Sequence, residues 1–216
     1  MQDIDGDYNG ALEHANKALT TKRHTLGEKH EHTASSYRDV GTVYYQKRDY
    51  DRAVEYFNKA LSIYRTTLGE NNTETATVYN RLGNVYLDKR DHDRAGAYYN
   101  KALSIHHNTV GENHNHTATV YNNIGIMYRE MDDYDKALAC HNKALSIRCH
   151  SYGEKHKETA VIYSNLGELY CHQRDYDRAL QCSSRALETF QQTLGAKHPW
   201  TKYAYSLVEK SRTKAK

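Results

Sequence analysis

The sequence predicts an all-α protein built as a solenoid of stacked antiparallel helix pairs, and three observations carry that prediction. The first is a strict period. Thr75-Ala76-Thr77-Val78-Tyr79-Asn80 with Leu82-Gly83 returns 42 residues later as Thr117-Ala118-Thr119-Val120-Tyr121-Asn122 with Ile124-Gly125, and 42 residues earlier as Thr33-Ala34, Tyr37 and Val40-Gly41. Gly27, Gly69, Gly111, Gly153 and Gly195 keep the same interval. A fixed period of this size marks a repeat array, each unit being one supersecondary motif packed on its neighbours. The second is helical spacing inside each unit. Tyr79, Leu82, Gly83 and Tyr86 fall at i, i+3, i+4 and i+7, and Ala95, Tyr98, Tyr99, Ala102 and Leu103 repeat that stripe. The third is composition: 38% hydrophobic residues and a mean hydropathy of −0.95 are low for a compact globule but suit thin layers that each bury one strip. Twenty Tyr against two Phe fit the same picture, because a tyrosine buries its ring while its hydroxyl reaches the boundary.

Taken in order, residues 1–30 match a second helix alone, through Asp7-Tyr8-Asn9-Gly10-Ala11 and Asn16-Lys17-Ala18-Leu19, so the chain reads as starting in mid-repeat. Four full repeats follow at 31–72, 73–114, 115–156 and 157–198. Their first helices are expected at 31–47, 73–89, 115–131 and 157–173, and their second helices at 50–67, 92–109, 134–151 and 176–193. Asp49, Asp91, Asp133 and Asp175 stand where an aspartate caps free N–H groups of the second helix. Gly69, Gly111 and Gly153 follow its end and suit the left-handed conformation found there. In the last unit His198-Pro199 marks a helix start, since proline is accepted at the first helical position. Gly41, Gly83, Gly125 and Gly167 sit in mid-helix, at a cost of about 1 kcal/mol each against alanine, which predicts close approach of a neighbouring helix. Residues 199–216 begin like a first helix, lose the glycine at Glu209 and gain Lys210, Arg212, Lys214 and Lys216, as a solubilising cap would.

Several function classes are disfavoured. The net charge is +3 with both signs interspersed, so no Lys/Arg block marks a nucleic-acid or membrane footprint. No apolar run approaches the roughly 18–20 residues of a spanning helix, and Met1-Gln2-Asp3-Ile4-Asp5 lacks the pattern of a signal peptide, which makes the cytoplasm the default address. Cys140, Cys149, Cys171 and Cys182 form no CxxC pair and read as ordinary reduced thiols. The fourteen histidines read as surface polarity rather than as metal ligands. No nucleophile elbow, phosphate loop or paired carboxylates appear, so neither catalysis nor a cofactor is expected.

An aromatic, then Leu-Gly, then Tyr, with Ala, an aromatic and Ala in the second helix, resembles the tetratricopeptide repeat. The lengthened unit, with Ala-Leu-Ser-Ile and Leu-Gly-Glu before the next helix, is similar to the repeats of kinesin light chain, of nephrocystin-3 and of arrays attached to signalling NTPases. The resemblance implies a right-handed solenoid whose first helices line a concave groove for partner peptides. On those helices the face opposite the core stripe carries Arg38, Thr77, Asn80, Arg81, Asn84, Thr119, Asn122, Asn123, Ser164 and Asn165, with Arg129 near it. An asparagine side chain offers a donor and an acceptor together, as a peptide backbone requires. Arg38, Arg81 and Arg129 add a preference for an acidic segment. The Lys/Arg clamp by which some members of the family hold a carboxyl terminus is missing, with Asn80, Asn84, Ser164 and Glu168 on that stripe. The expected function is a non-enzymatic protein-interaction scaffold, in the manner of cargo or adaptor recognition; the alternative is a sensor segment of a larger signalling NTPase. The half-repeat at 7–25 adds a face for self-association.

Overall fold

The computed structural model describes residues 4–215; residues 1–3 and Lys216, which end the half-repeat and the basic tail, lie outside the described residues. Among the described residues the chain is all-α, of the repeat-solenoid class, with ten helices: α1 Ile4–Leu26, α2 Glu31–Gln46, α3 Tyr50–Thr67, α4 Thr73–Asp88, α5 His92–Thr109, α6 Asn115–Glu130, α7 Tyr134–Tyr152, α8 Lys157–His172, α9 Tyr176–Leu194 and α10 Pro199–Lys214. The chain forms two compact units, 1–112 and 113–216. In the first, α2 packs on α3, α4 on α5, and α1 and α3 join them in sequence. In the second, α6 packs on α7 and α8 on α9, with α8 also touching α6, α7 and α10. Each full first helix stops one residue short of its expected end, and α7 and α9 each run one residue longer than expected.

The turn within each repeat explains those ends. Arg48, Arg90, Asp132 and Arg174 all adopt positive φ, between 59° and 61°. In the second repeat Arg90 N–H donates to Leu87 C=O at 2.8 Å and Asp91 N–H to Tyr86 C=O at 2.9 Å, the paired bonds of a Schellman motif. Asp91 then serves the next helix, its Oδ1 accepting from Arg94 N–H at 3.0 Å. Asp49, Asp133 and Asp175 repeat that cap. One residue thus closes the first helix and opens the second, so the turn needs no further length.

The turn between repeats departs from expectation. Gly153 and Gly195 have φ of 83° and 84° with ψ of 167° and 162°, which is the extended mirror region rather than left-handed helix, and which is essentially restricted to glycine. Their carbonyls accept from Thr159 Oγ1 and Thr201 Oγ1, both at 2.8 Å. The histidines also need correction, because several are structural. His30, His114, His156 and His198 cap first helices through Nδ1, which accepts from the N–H two residues on at 3.1–3.2 Å, a role that Asn72 Oδ1 plays in α4. His106 and His141 are buried in the core.

Close helix approach, expected at the mid-helix glycines, is what the structure contains. A Cβ on Gly41 would lie 2.9 Å from the Phe57 ring, on Gly83 2.4 Å from that of Tyr99, on Gly125 2.7 Å from that of His141, and on Gly167 3.2 Å from the backbone N of Ser183. Fully buried alanines line the same contacts, among them Ala53, Ala60, Ala95, Ala102, Ala137, Ala144, Ala179 and Ala186. His141 Nδ1 donates to Asn122 Oδ1 at 3.2 Å, because an amide oxygen only accepts; Nε2 is left unprotonated, buried and without a partner. Burial first, and then the charge of Arg129, pull the His141 pKa down to about 3.

Replacing Arg48, which is exposed, by glycine relieves about 1–2 kcal/mol of left-handed strain and raises chain entropy in the unfolded state by about 0.4–1 kcal/mol. The Arg48→Gly variant is therefore expected to melt slightly higher in thermal unfolding, and an unchanged or lower midpoint would contradict this. His141 is neutral when folded and has an ordinary pKa near 6.5 when unfolded. Its contribution to stability is complete above pH 6.5 and is lost as pH falls from there toward 3, by up to about tenfold in the folding constant per pH unit. His141→Phe, which copies Phe57, should flatten the decline in hydrogen-exchange protection of α6 and α7 between pH 7 and 5; an unaltered profile would refute the assignment.

Candidate functional site

In the first unit the face shared by α2 and α4 is tied at both ends. Arg38 pairs with Glu74, and Asp39 lies 3.5 Å from its Nη2. At the other end the Tyr45 hydroxyl bonds Asp88, and burial followed by that bond pushes the Tyr45 pKa well up. Thr77 spends its hydroxyl on Thr73 C=O at 2.9 Å, and Asn84 Oδ1 accepts from the Tyr99 hydroxyl at 2.8 Å. Asn80 is half-buried. Arg81 lies between the two ties, largely buried, and among the described residues it makes no hydrogen bond and no ion pair. Desolvation above all, and then the like charge of Arg38, pull its pKa down. The carboxylate of Asp39 acts on it only through space, and a guanidinium largely removed from water with no bonded carboxylate is a costly arrangement.

The second unit carries the asparagines. Asn165 Nδ2 donates to Asn122 Oδ1 at 2.7 Å, the oxygen that also accepts from His141, so Asn122 is buried and fastens α8 to α6. That bond consumes one amide oxygen and one amide nitrogen. It leaves Asn122 Nδ2, a donor, and Asn165 Oδ1, an acceptor, without protein partners among the described residues. Farther along, Arg129 pairs with Glu168, which also bonds the Tyr203 hydroxyl, and Cys171 Sγ meets Ser211 Oγ at 3.3 Å. Ser164 is buried, with its hydroxyl unpartnered, and Asn123 is half-buried. Thr119 lies nearer the start of α6, where its Oγ1 accepts from Arg148 Nη2 at 2.7 Å.

The structure therefore engages several of the expected residues internally. Asn122 and Asn165 act first as a fastener, and Arg38 and Arg129 are neutralised by Glu74 and Glu168. Sequence reasoning missed Glu74 and Tyr45, because the pairing of α2 with α4 brings them in from the ends of those helices. No group of three or more His, Cys, Asp or Glu side chains converges on a metal-sized site among the described residues. Nor is any described helix long and apolar enough to cross a membrane.

Comparison with known proteins follows the same lines. The chain is similar in structure to BtubC (BKLC) from P. vanneervenii, with 27% identity and a TM-score of 0.72 over 90% of this chain and 77% of that one. It shares its fold with two crystal structures of a kinesin light chain-like protein of Podosopora anserina with nearly identical repeats. Each is 15% identical, with TM-scores of 0.67 and 0.65 over 88% of this chain and 90% of the other. Comparison with curated protein sequences gives no match. A family profile described as tetratricopeptide repeat matches residues 4–66, 74–150 and 158–208. Proteins built of this repeat generally serve as scaffolds for protein–protein interaction, and this chain belongs to the tetratricopeptide repeat family.

Proposed function

We propose that the chain is a non-catalytic cytoplasmic scaffold whose first-helix faces hold an extended segment of a partner protein, and that Arg81 reads an acidic side chain of that segment. The carrying observation is Arg81 itself, a largely buried guanidinium that feels the charge of Asp39 but has no carboxylate bonded to it. Its neighbours explain why an incoming acid is favoured: Arg38 is already neutralised by Glu74, and Asp88 is taken up by Tyr45. A partner carboxylate would form the bidentate pair that guanidinium geometry suits. In the second unit the spare donor of Asn122 and the spare acceptor of Asn165 match the C=O and the N–H of one residue of an extended backbone. Four unpaired cysteines fit a reducing compartment. Recognition of a cargo adaptor would be one use of such a face.

Peptide display on the intact chain, run beside Arg81→Met and Asn165→Ala, tests this reading. Selected peptides should share an acidic residue and lose about tenfold or more in affinity against Arg81→Met, since truncating one member of a buried charge pair costs at least about 2 kcal/mol. The same substitution should raise the melting temperature of the free protein by removing an uncompensated buried charge. Selected peptides indifferent to Arg81→Met, or a variant less stable than the parent, would refute the role of Arg81. Asn165→Ala should weaken binding of peptides that engage the second unit, and a null effect would refute the backbone grip.

A further inference from the structure

In the second unit a cleft of about 490 Å³ opens where the starts of α6 and α8 flank the end of α7. Arg148 lines it from α7 and is 8% exposed. In the other repeats the equivalent position holds Tyr64, His106 and Phe190, each a buried aromatic ring. Here a guanidinium replaces the ring, and its surroundings satisfy it in part. Nη2 donates to Thr119 Oγ1 at 2.7 Å and Nη1 to Asn115 Oδ1 at 3.3 Å, both neutral acceptors. Glu158 Oε2, at 3.7 Å, lies beyond hydrogen-bond reach. Of five N–H donors, two are spent on neutral oxygens and none on a carboxylate.

The rest of the lining adds donors. Lys157 reaches the cleft, is exposed, and forms no ion pair among the described residues. His114 and His156 line it as well. Each uses Nδ1 to accept a backbone N–H as a helix cap, so the neutral ring carries its proton on Nε2 and offers a donor there. Tyr152 supplies an aromatic wall, stacked on His156 at 4.3 Å between ring centroids and with the Arg148 guanidinium 5.6 Å from its ring centre. Two cations and two imidazole donors thus face one carboxylate, Glu158. That is more donor capacity than a single carboxylate ligand accepts, and it suits the three oxygens and double charge of a phosphate monoester.

We propose that this cleft binds a phosphate group, with Arg148 as its principal ligand and Lys157, His114 and His156 completing the shell. The site is separate from the Arg81 face and does not depend on the reading given for it. The phosphate is carried by a modified side chain of a partner or arrives as a free ion, and the ligands used in the test tell the two apart.

The test is an NMR titration of the intact, isotope-labelled chain with inorganic phosphate, O-phosphoserine, O-phosphotyrosine and succinate, each up to about 10 mM at low salt. Amides of residues 114–119 and 148–158 are expected to shift with the phosphate ligands. Tighter binding of O-phosphotyrosine or O-phosphoserine than of inorganic phosphate assigns the site to a modified partner, and the reverse order assigns it to the free ion. Arg148→Phe copies the ring of Phe190 and should keep the fold while weakening phosphate binding by about tenfold or more. Lys157→Ala, at an exposed position, should weaken it severalfold and keeps the test open if the first variant unfolds. An absence of localised shifts, succinate binding as tight as phosphate, or folded variants that bind as the parent does would each overturn the proposal.

Discussion

A missing Cβ sets the geometry of the helix pair within each of the four full repeats. At Gly41, Gly83, Gly125 and Gly167 the second helix lies so close that an alanine methyl would meet its side chain or backbone. The residue opposite, sixteen positions on, is Phe57, Tyr99, His141 or Ser183, so one contact is solved four ways. Phe57 fills the space with an apolar ring alone. Tyr99 fills it and extends a hydroxyl to Asn84 on the open face. His141 does the same with Nδ1 and fixes Asn122, which in turn receives Asn165 from the next first helix. Ser183 leaves no ring at all, and the contact closes on backbone, with the hydroxyl turned onto Ala179 C=O. The glycine is therefore more than a packing device, because through the ring that it admits the core determines which groups on the outer face are held in place.

How much of this the sequence disclosed follows from what periodicity can carry. Helix positions, aspartate caps and the tight glycine contact were legible, because each depends on local conformation or on a neighbour at a fixed offset. The left-handed arginines were not, since a Lys-Arg pair in a turn reads as a solvated edge whether or not its second member has positive φ. The capping histidines were missed for a related reason: His114 and His156 stand where Asn72 stands in the second repeat, and an Nδ1 acceptor leaves no signature other than that equivalence. The site itself was half legible. A stripe of polar residues looks the same in sequence whether its members face water, as part of Arg81 does, or fasten one helix to the next, as Asn122 does. Deciding between those states needs the partner, and Glu74, Asp88 and Glu168 lie a whole repeat away from the side chains they engage.

In an array of near-identical units, what all units share maintains the stack, and selectivity has to come from positions where one unit differs. Arg81 and Arg148 are two such positions, one in each compact unit. Arg81 has Asp39, Asn123 and Asn165 as its equivalents, and Arg148 has three aromatic residues. Both bring a guanidinium into a place that withholds water without supplying a carboxylate at bonding distance. Other arginines of the chain lack this property: Arg38 and Arg129 have acids on the adjoining first helix, while Arg94 and Arg178 pair with the aspartate that caps their own helix. A fold that neutralises its repeated charges so consistently makes an incompletely answered one informative, because a buried guanidinium without a hydrogen-bonded carboxylate bears a desolvation cost that an anionic partner would offset. The same physics explains why the two sites differ in what they suit. Arg81 stands on a helix face between two closed ties and offers a lone guanidinium, which suits one bidentate acid, whereas Arg148 is surrounded by a lysine and two imidazole donors that together demand more oxygen atoms than a carboxylate has.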